Sequence, residues 1–244
     1  MKISIITVCF NSSKTIERTI KSVLSQTFTD FEYIIIDGLS NDNTVSIAEN
    51  YRKQFEEKKI PFRVISEKDN GMYDAINKGT RLAEGLIIGS INSDDWLEPN
   101  ALQIVSDTYD ETHFDMFYAD LRIIKPTGNI IKHAKKSKFV FTRYWNHPTT
   151  FITKELYGKY QYKLESMYDD CDLMLRIRKD KLNKIVIKNV VLANFTFGGM
   201  STKKNWHDTW KRIKLRCKVY SNNGYGLIYY LDSFFIETIK FLMA

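Results

Sequence analysis

The sequence KISIITVCFN, from Lys2 to Asn11, decides the fold of this chain. Lys2–Val8 is rich in β-branched residues and predicts a buried strand. Asn11 and the two serines after it are typical helix N-caps, and apolar residues then recur at helical spacing. A buried strand that leads into an amphipathic helix is the basic unit of an α/β sheet.

The alternation of strand and helix continues along the first part of the chain. Further strands are predicted at Tyr33–Ile36, Pro61–Ser66 and Leu86–Ile91. A helix is predicted after Asp42, and another at Asp74–Glu84. Strands separated by single helices favour a doubly wound, mostly parallel sheet flanked by helices, which binds ligands outside the carboxyl ends of its strands.

The rest of the chain is less regular. The predicted elements are a hairpin of Phe117–Lys125 and Asn129–His133, a helix at Asp169–Lys179, strands at Lys184–Lys188 and Val190–Phe195, and helix from Thr202 onward. We therefore expect one α/β domain over residues 1–201 and a C-terminal helical extension over residues 202–244.

The composition excludes several classes of protein. Of the 244 residues, 43% are hydrophobic and 27% are charged, which argues against disorder. Three widely spaced cysteines exclude a disulfide framework and a cysteine zinc site, and they fit a reducing cytosol. Neither a secretory signal nor a membrane-spanning stretch is visible, so we expect a cytoplasmic protein that starts at Met1.

The net charge of +7 is concentrated near the C-terminus. The segment Lys203–Lys218 carries seven basic side chains against the single acid Asp208. Such a strip can contact nucleic acid, an anionic membrane or phosphorylated substrates, or it can be a solvated helix face.

Polar side chains follow the four predicted strands of the first part of the chain. Asn11 follows the first strand and Asp37 the second. Glu67 and Asp69 follow the third, and the run Asn92-Ser93-Asp94-Asp95 follows the fourth. Because these ends meet at one edge of a parallel sheet, we expect a binding site there.

The adjacent carboxylates of Asp94 and Asp95 repel each other when they are buried. Mg²⁺ or Mn²⁺ would compensate this repulsion, since these cations bind one or two carboxylates together with phosphate oxygens. Alternatively, one of the two aspartates caps a helix that starts near Pro99.

Two further segments have residues suited to a nucleotide. A carboxylate at Asp37 can accept an N–H from a base edge such as a uracil imide, and Gly38 permits close approach of the backbone. In the loop Asp69–Gly79, Asn77 and Lys78 can reach a phosphate or the base. The spacings GxxxxGK[ST] and GxGxxG are absent, which argues against a P-loop or a dinucleotide site.

Candidate groups for proton transfer lie later in the chain. Asp170 lies in an acidic first helical turn and can act as a general base, although the helix dipole alone also favours acids there. His147 either lines an acceptor site or fills a buried or capping role. Gly198, Gly199 and Ser201 are weaker candidates for the same side.

Together these segments resemble the family 2 glycosyltransferases of the GT-A fold, over residues 2–201. The resemblance rests on the order and spacing of Thr7–Asn11, Asp37–Thr44, Asp69–Gly79, Asn92–Pro99 and Asp170–Arg176. The sequence is most similar to the bacterial subgroup that builds capsule, exopolysaccharide or O-antigen units.

The resemblance implies a role for each matching position. Asp37 would bind the uracil N3, Thr7 and Asn11 the nucleotide, and Asp69 with Gly71, Asn77 and Lys78 the base and ribose. Asp94 would face the metal, Asn92, Ser93 and Asp95 would contact the donor, His147 would contact substrate, and Asp170 would be the catalytic base. Asn92 stands where many members have Asp, which removes one charge from the metal motif. Ile76 stands where an Arg is usual, so Lys78 would supply the positive charge.

We therefore expect an inverting, metal-dependent enzyme without a covalent intermediate. It would move a hexose or N-acetylhexosamine from a UDP-sugar to a polyprenyl-diphosphate-linked saccharide, with Mg²⁺ or Mn²⁺. One alternative is a sugar nucleotidyltransferase, although no glycine-rich N-terminal loop is present. The other is a nucleic-acid-binding protein, which we disfavour because the acids at the strand ends would repel phosphates.

The C-terminal segment predicts an amphipathic helix. Its apolar side comprises Leu227, Leu231, Phe234, Phe235, Ile239 and Leu242, and its polar side comprises Asp232, Ser233, Glu237 and Lys240. Beside a basic strip, such a helix suits peripheral contact with the inner face of the cell membrane. Alternatively, it packs on the catalytic domain or on a second subunit.

Overall fold

Alternate residues of the first two strands pack into two different hydrophobic clusters. Ile3, Ile5 and Tyr33 belong to one cluster, whereas Ile6 and Ile34 belong to the other. Because successive strand residues point to opposite faces, this sheet is covered on both sides. The computed structural model describes residues 1–198 and 205–243.

The strands of the central sheet are β1 (Ile3–Cys9), β2 (Phe31–Asp37), β3 (Phe62–Ser66), β4 (Ile87–Asn92), β5 (Trp96–Leu97), β6 (Met116–Ile124), β7 (Ile130–Lys132), β8 (Phe151–Thr153) and β9 (Ile185–Thr196). The helices are α1 (Ile16–Leu24), α2 (Thr44–Glu49), α3 (Arg52–Glu57), α4 (Met72–Leu82), α5 (Ala101–Thr112), α6 (Lys154–Lys159), α7 (Asp169–Lys179), α8 (Trp206–Asn222) and α9 (Leu227–Met243). Two 3₁₀ turns, Thr142–Tyr144 and His147–Thr149, lie between β7 and β8.

Within the described part of the chain, the sheet has nine strands in the order β3-β2-β1-β4-β8-β6-β9-β5, with β7 paired to β6. The pairs among β1 to β4 are parallel, and β8 is antiparallel to both β4 and β6. The predicted mostly parallel α/β sheet is thereby confirmed. Cys9 pairs with Asp37, and Val8 pairs with Asn92, so the predicted polar strand ends do meet at one edge.

Three predicted elements differ from the structure. The two strands predicted between Lys184 and Phe195 are wrong, because β9 is continuous and has a shift of register beside Asp120. At this shift the Asn189 side chain donates to Asp120 and to the Ala134 carbonyl. The helix predicted after Asp42 divides into α2 and α3, and the C-terminal helix divides into α8 and α9. The short strands β5 and β8 were not predicted, since two or three residues show no periodicity.

Helix α9 has the predicted two sides, but the polar one faces inward. Glu237 is fully buried and accepts hydrogen bonds from Arg212 at 3.0 Å and Arg216 at 3.1 Å, both on α8. Asp232 is buried too and pairs with Arg143 at 2.6 Å. The apolar Leu231 on the opposite side is 71% exposed. The hydrophobic effect alone would place these sides the other way round, so the ion pairs orient the helix.

The ion-paired helices also contact the helix that carries Asp170. Asn223, just after α8, donates to Asp172 of α7 at 2.8 Å. Arg216 lies over the ring of Tyr168, 5.8 Å from its centroid. Residues 205–243 therefore support the position of α7.

The substitution Glu237→Gln should strongly destabilise the protein. It leaves Arg212 and Arg216 buried without a counter-charge, which costs about 3–5 kcal/mol for a broken buried pair. Urea unfolding would measure the loss. The control Glu155→Gln breaks the exposed pair with Lys159 and should leave the free energy of unfolding unchanged. Equal stability of the two variants would contradict the orienting role of Glu237.

Candidate active site

A cleft of about 1110 Å³ lies at the carboxyl ends of β1 and β4. Loops after β2, before α4 and before α7 complete its walls. The residues predicted for the site that line this cleft are Asn11, Gly71, Asn92, Ser93, Asp94, His147 and Asp170. Side chains distant in sequence therefore share one opening at the strand ends.

The turn after β1 is held by side chains of the β2–α2 loop. Asn11 has a positive φ of 51°, and its amide oxygen accepts a hydrogen bond from the Asn41 N–H at 2.8 Å. Asp42 accepts from the Ser13 N–H at 3.1 Å and from Thr44. Hydrogen bonds from Thr44 and Ser13 hold the pKa of Asp42 well below its usual range, so this wall of the cleft carries a fixed negative charge.

The two carboxylates after β4 have different environments. Asp94 lines the cleft, and burial raises its pKa. Asp95 is fully buried, and one carboxylate oxygen accepts the Thr196 N–H at 2.9 Å. Its other oxygen has no hydrogen-bond partner among the described residues. Burial first, and then the charge of Asp94, raise the pKa of Asp95 to about 8.

Asp94 and Asp95 fit a divalent cation that also binds a diphosphate. Residues 1–198 and 205–243 contain no cluster of three or more His, Cys, Asp or Glu residues that could hold a metal alone. Mg²⁺ and Mn²⁺ use one or two carboxylates together with substrate phosphates, so two carboxylates are sufficient. The unpartnered oxygen of Asp95 is the observation that favours a cation here.

Asp170 reaches the cleft from the first turn of α7. The preceding Asp169 is buried and accepts the backbone N–H groups of Glu165 and Ser166, at 2.9 and 2.8 Å. These bonds fix the loop before α7, which forms the wall beside Asp170. Of the three acids in this first turn, Asp169 and Asp172 have partners within the protein, and Asp170 lines the cleft.

His147 lies beside Asp170 at the cleft. Its Nε2 is 3.0 Å from the Tyr162 hydroxyl. Burial lowers the pKa of His147, and the nearby charge of Asp170 does not offset this effect. The imidazole is therefore neutral at neutral pH, and it suits hydrogen bonding to a sugar better than charge pairing with phosphate.

Some predicted residues lie behind the cleft wall. Thr7 is buried in the core and accepts a hydrogen bond from Tyr33 at 2.9 Å, because it shares the strand face of Ile3 and Ile5. Asn77 is buried and binds the backbone of Tyr162 through both its amide oxygen and its amide nitrogen.

The predicted base-binding carboxylates also have partners within the protein. Asp37 is fully buried and accepts from the Ser40 N–H at 2.9 Å and from Ser66 at 2.7 Å. Asp69 accepts the Gly71 N–H at 2.8 Å. A Cβ at Gly38 would lie 2.7 Å from an Asp69 oxygen, so the Asp69 side chain would have to move to accommodate a larger residue there.

Lys78 lies outside the cleft lining as well. It pairs with Glu67 at 2.9 Å and donates to the Lys68 carbonyl at 2.7 Å. Of the weaker candidates, Gly199 and Ser201 lie outside the described residues, as do Lys203 and Lys204 of the basic strip.

The structure adds residues that sequence reasoning did not select. Phe10 lines the cleft and is 59% exposed, which is unusual for a phenylalanine next to a buried strand. Arg18 stacks 3.8 Å above Trp96 and donates to the Asp94 carbonyl at 2.7 Å. Thr196 from β9 also donates to that carbonyl, at 2.6 Å. The β9 contact has no local sequence signal, because it arises from strand pairing.

Comparison with known proteins identifies the family. The sequence model described as Glycosyl transferase family 2 matches residues 4–185. The chain belongs to glycosyltransferase family 2. This family 2 glycosyltransferase is 35% identical over 133 residues to the chondroitin synthase of Escherichia coli. The match covers 54% of this chain and 19% of that protein. The chain spans a quarter or less of the length of the chondroitin and hyaluronan synthases that it matches.

Solved structures show the same fold. S. aureus TarS 1-349 in complex with UDP-GlcNAc has a TM-score of 0.72 at 22% identity, over 91% of this chain and 66% of that one. The mannosyltransferase PcManGT from Pyrobaculum calidifontis, in complex with GDP-Man and Mn²⁺, has a TM-score of 0.67 at 12% identity, over 99% of this chain and 72% of that one. The predicted GT-A fold of this family 2 glycosyltransferase is confirmed.

The raised pKa of Asp95 predicts a pH dependence of stability without metal. The folded state retains a proton up to about pH 8, whereas the unfolded carboxyl releases it near pH 3.8. The contribution of Asp95 to the free energy of unfolding should therefore fall as pH rises through this window. We expect the difference in unfolding free energy, native protein minus Asp95→Asn, to be lower at pH 7.5 than at pH 5.

Urea unfolding in EDTA at the two pH values measures this difference. The exposed Asp107→Asn serves as a matched control and should show no such trend. A difference between native protein and Asp95→Asn that does not change with pH would contradict the assigned burial effect.

Proposed function

We propose that this family 2 glycosyltransferase moves a hexose or N-acetylhexosamine from a UDP-sugar to a lipid-linked saccharide, with inversion at the anomeric carbon. The product would be a unit of a bacterial surface polysaccharide. The observation that carries the proposal is that Asp94 and Asp170, 76 residues apart in sequence, line the same cleft. Asp94 would lie at the departing diphosphate, and Asp170 would lie at the attacking hydroxyl.

The nucleotide would lie between the turn after β1 and the loop before α4. Phe10 offers an exposed ring face for a base, and Asn11 and Gly71 line the same end of the cleft. Asp37 supports this end from behind through Ser40 and Ser66. Binding of a uridine nucleotide is also supported by TarS, which was solved with UDP and with UDP-GlcNAc.

The diphosphate would lie at Asp94, with Asp95 behind it and Asn92 beside it. These residues would hold Mg²⁺ or Mn²⁺, and the metal supplies charge neutralisation on the leaving phosphate. Arg18 donates to the Asp94 carbonyl and Thr196 to both Asp94 and Asp95, so the two aspartates are held in place before substrate binds. Mn²⁺ in the PcManGT complex is consistent with this assignment.

Asp170 would remove the proton of the acceptor hydroxyl as that oxygen attacks the anomeric carbon. The new C–O bond forms while the bond between the sugar and the diphosphate breaks, so UDP leaves and the proton resides on Asp170. His147, neutral and bonded to Tyr162, would orient a sugar hydroxyl nearby. The exposed Leu164 and Met167 on the adjacent wall would contact the acceptor.

The substitution Asp170→Asn should lower sugar transfer by about 10²- to 10⁴-fold, because the variant cannot accept the proton. UDP binding, measured by thermal shift, should be nearly unchanged, since Asp170 is proposed to act on the acceptor hydroxyl and not on the nucleotide. The matched control Asp180→Asn, just after the other end of α7, should retain transfer. Retained transfer in Asp170→Asn would refute Asp170 as the base.

Metal coupling is tested at Asp94. UDP should raise the melting temperature of the native protein more in Mn²⁺ than in EDTA, because a ligand that binds the folded state stabilises it. In Asp94→Asn this difference between Mn²⁺ and EDTA should disappear, whereas in Asp107→Asn it should persist. A difference that survives in Asp94→Asn would show that the cation is held elsewhere.

A further inference from the structure

The outward side of the C-terminal helix pair, α8 and α9, is apolar and aromatic. Trp206 contacts Trp210 and Phe241, and Trp210 contacts Phe234, with ring centroids 5.0–5.9 Å apart. Trp206, Trp210 and Phe234 are nevertheless each more than 40% exposed. We call the exposed apolar side chains of this helix pair the aromatic face. They are Trp206, Trp210, Leu227, Ile228, Leu231, Phe234, Phe235 and Leu242.

The charges of the helix pair are distributed unequally between inside and outside. The acids Asp232 and Glu237 are buried in ion pairs. Three lysines of α8, Lys211, Lys214 and Lys218, are exposed. Lys214 and Lys218 continue the i, i+4 row of Trp206 and Trp210, so they lie along the same side of α8. The aromatic face is therefore bordered by positive charge.

We propose that the aromatic face, together with the exposed Lys211, Lys214 and Lys218, binds the interface of an anionic lipid bilayer, with both helices lying in the membrane plane. Aromatic rings at the boundary between water and hydrocarbon, next to lysines, match the chemistry of that interface. In residues 1–198 and 205–243, no helix combines the length and apolar character that crossing a membrane requires. The buried ion pairs fix α9 with its apolar side outward, so the surface exists before the protein meets lipid.

A second copy of the chain is the competing occupant. A symmetric contact buries the same patch on both subunits. The exposed lysines of both copies would then border one interface, and these like charges repel. An anionic bilayer instead attracts both features of the surface. The proposal deepens the proposed function, because a lipid-linked acceptor lies in the membrane.

Vesicle co-sedimentation of the full chain tests the proposal. The vesicles are phosphatidylcholine alone and phosphatidylcholine mixed with phosphatidylglycerol. We expect binding to the anionic vesicles that weakens with added salt, since salt screens the lysines. Failure of the native protein to bind either vesicle would overturn the proposal. No sugar donor or acceptor is present, so this result is independent of the transferase assay.

Variants separate the two features of the surface. Leu231→Ser with Phe235→Ser should weaken vesicle binding by roughly tenfold or more, because two apolar side chains leave the interface. Leu182→Ser is the matched control, since Leu182 is 91% exposed and lies outside the helix pair. Lys211→Gln with Lys214→Gln and Lys218→Gln should reduce binding to the level seen with phosphatidylcholine. Lys53→Gln with Lys179→Gln and Lys181→Gln, at exposed sites elsewhere, should leave binding unchanged.

The thermal shift with UDP confirms that each variant is folded. Unchanged vesicle binding in the Leu231 and Phe235 variant would overturn the proposal. So would a native dimer, seen by size-exclusion chromatography with light scattering, that this variant converts to a monomer. That outcome would assign the aromatic face to a second copy of the chain.

Discussion

The burial of two adjacent carboxylates, those of Asp94 and Asp95, is the constraint on which the rest of the candidate site depends. Asp95 is fully buried beside Asp94, and their environment opposes ionisation of both. The fold sustains this arrangement through Thr196, which donates to Asp95 and to the Asp94 carbonyl, and through Arg18. In the function proposed above, a bound cation would supply the positive charge that these buried carboxylates lack.

The C-terminal helix pair, α8 and α9, also buries charged side chains. Here the fold supplies the counter-charges itself, since Arg212, Arg216 and Lys240 surround Glu237. Replacing such a cluster by apolar groups is often neutral or stabilising, so stability alone does not explain it. Its structural consequence is the orientation of α9, whose apolar residues then point outward. The cluster also lies against α7, through Arg216 at Tyr168, and thus connects this surface to the helix that carries Asp170.

The three candidate regions of the cleft come from different parts of the sheet. The turn after β1 and the β2–α2 loop form one part of the cleft, and the end of β4 holds the carboxylates. The start of α7 and the 3₁₀ turn at His147 form the opposite wall. Loops held at the ends of rigid strands can bring such groups together without strain in the sheet. Asn11 and Leu164 line the cleft from different loops, and both have a positive φ.

The sequence by itself determined the alternation of β1 to β4 with their helices, because buried β-branched runs and helical periodicity are local signals. It also determined that polar residues end those strands, and hence that Asp94 and Asn11 lie at one edge. It identified two sides of α9 but not their direction, since periodicity records the sides of a helix and not its partners. Only the tertiary structure decided that Thr7 and Asn77 lie in the core, that Asp37 is enclosed by serines, and that Arg212 and Arg216 draw Glu237 inward. Contacts between groups far apart in the chain decide which side chains are buried. Burial in turn decides which charged side chains pair with each other and which remain open to the cleft.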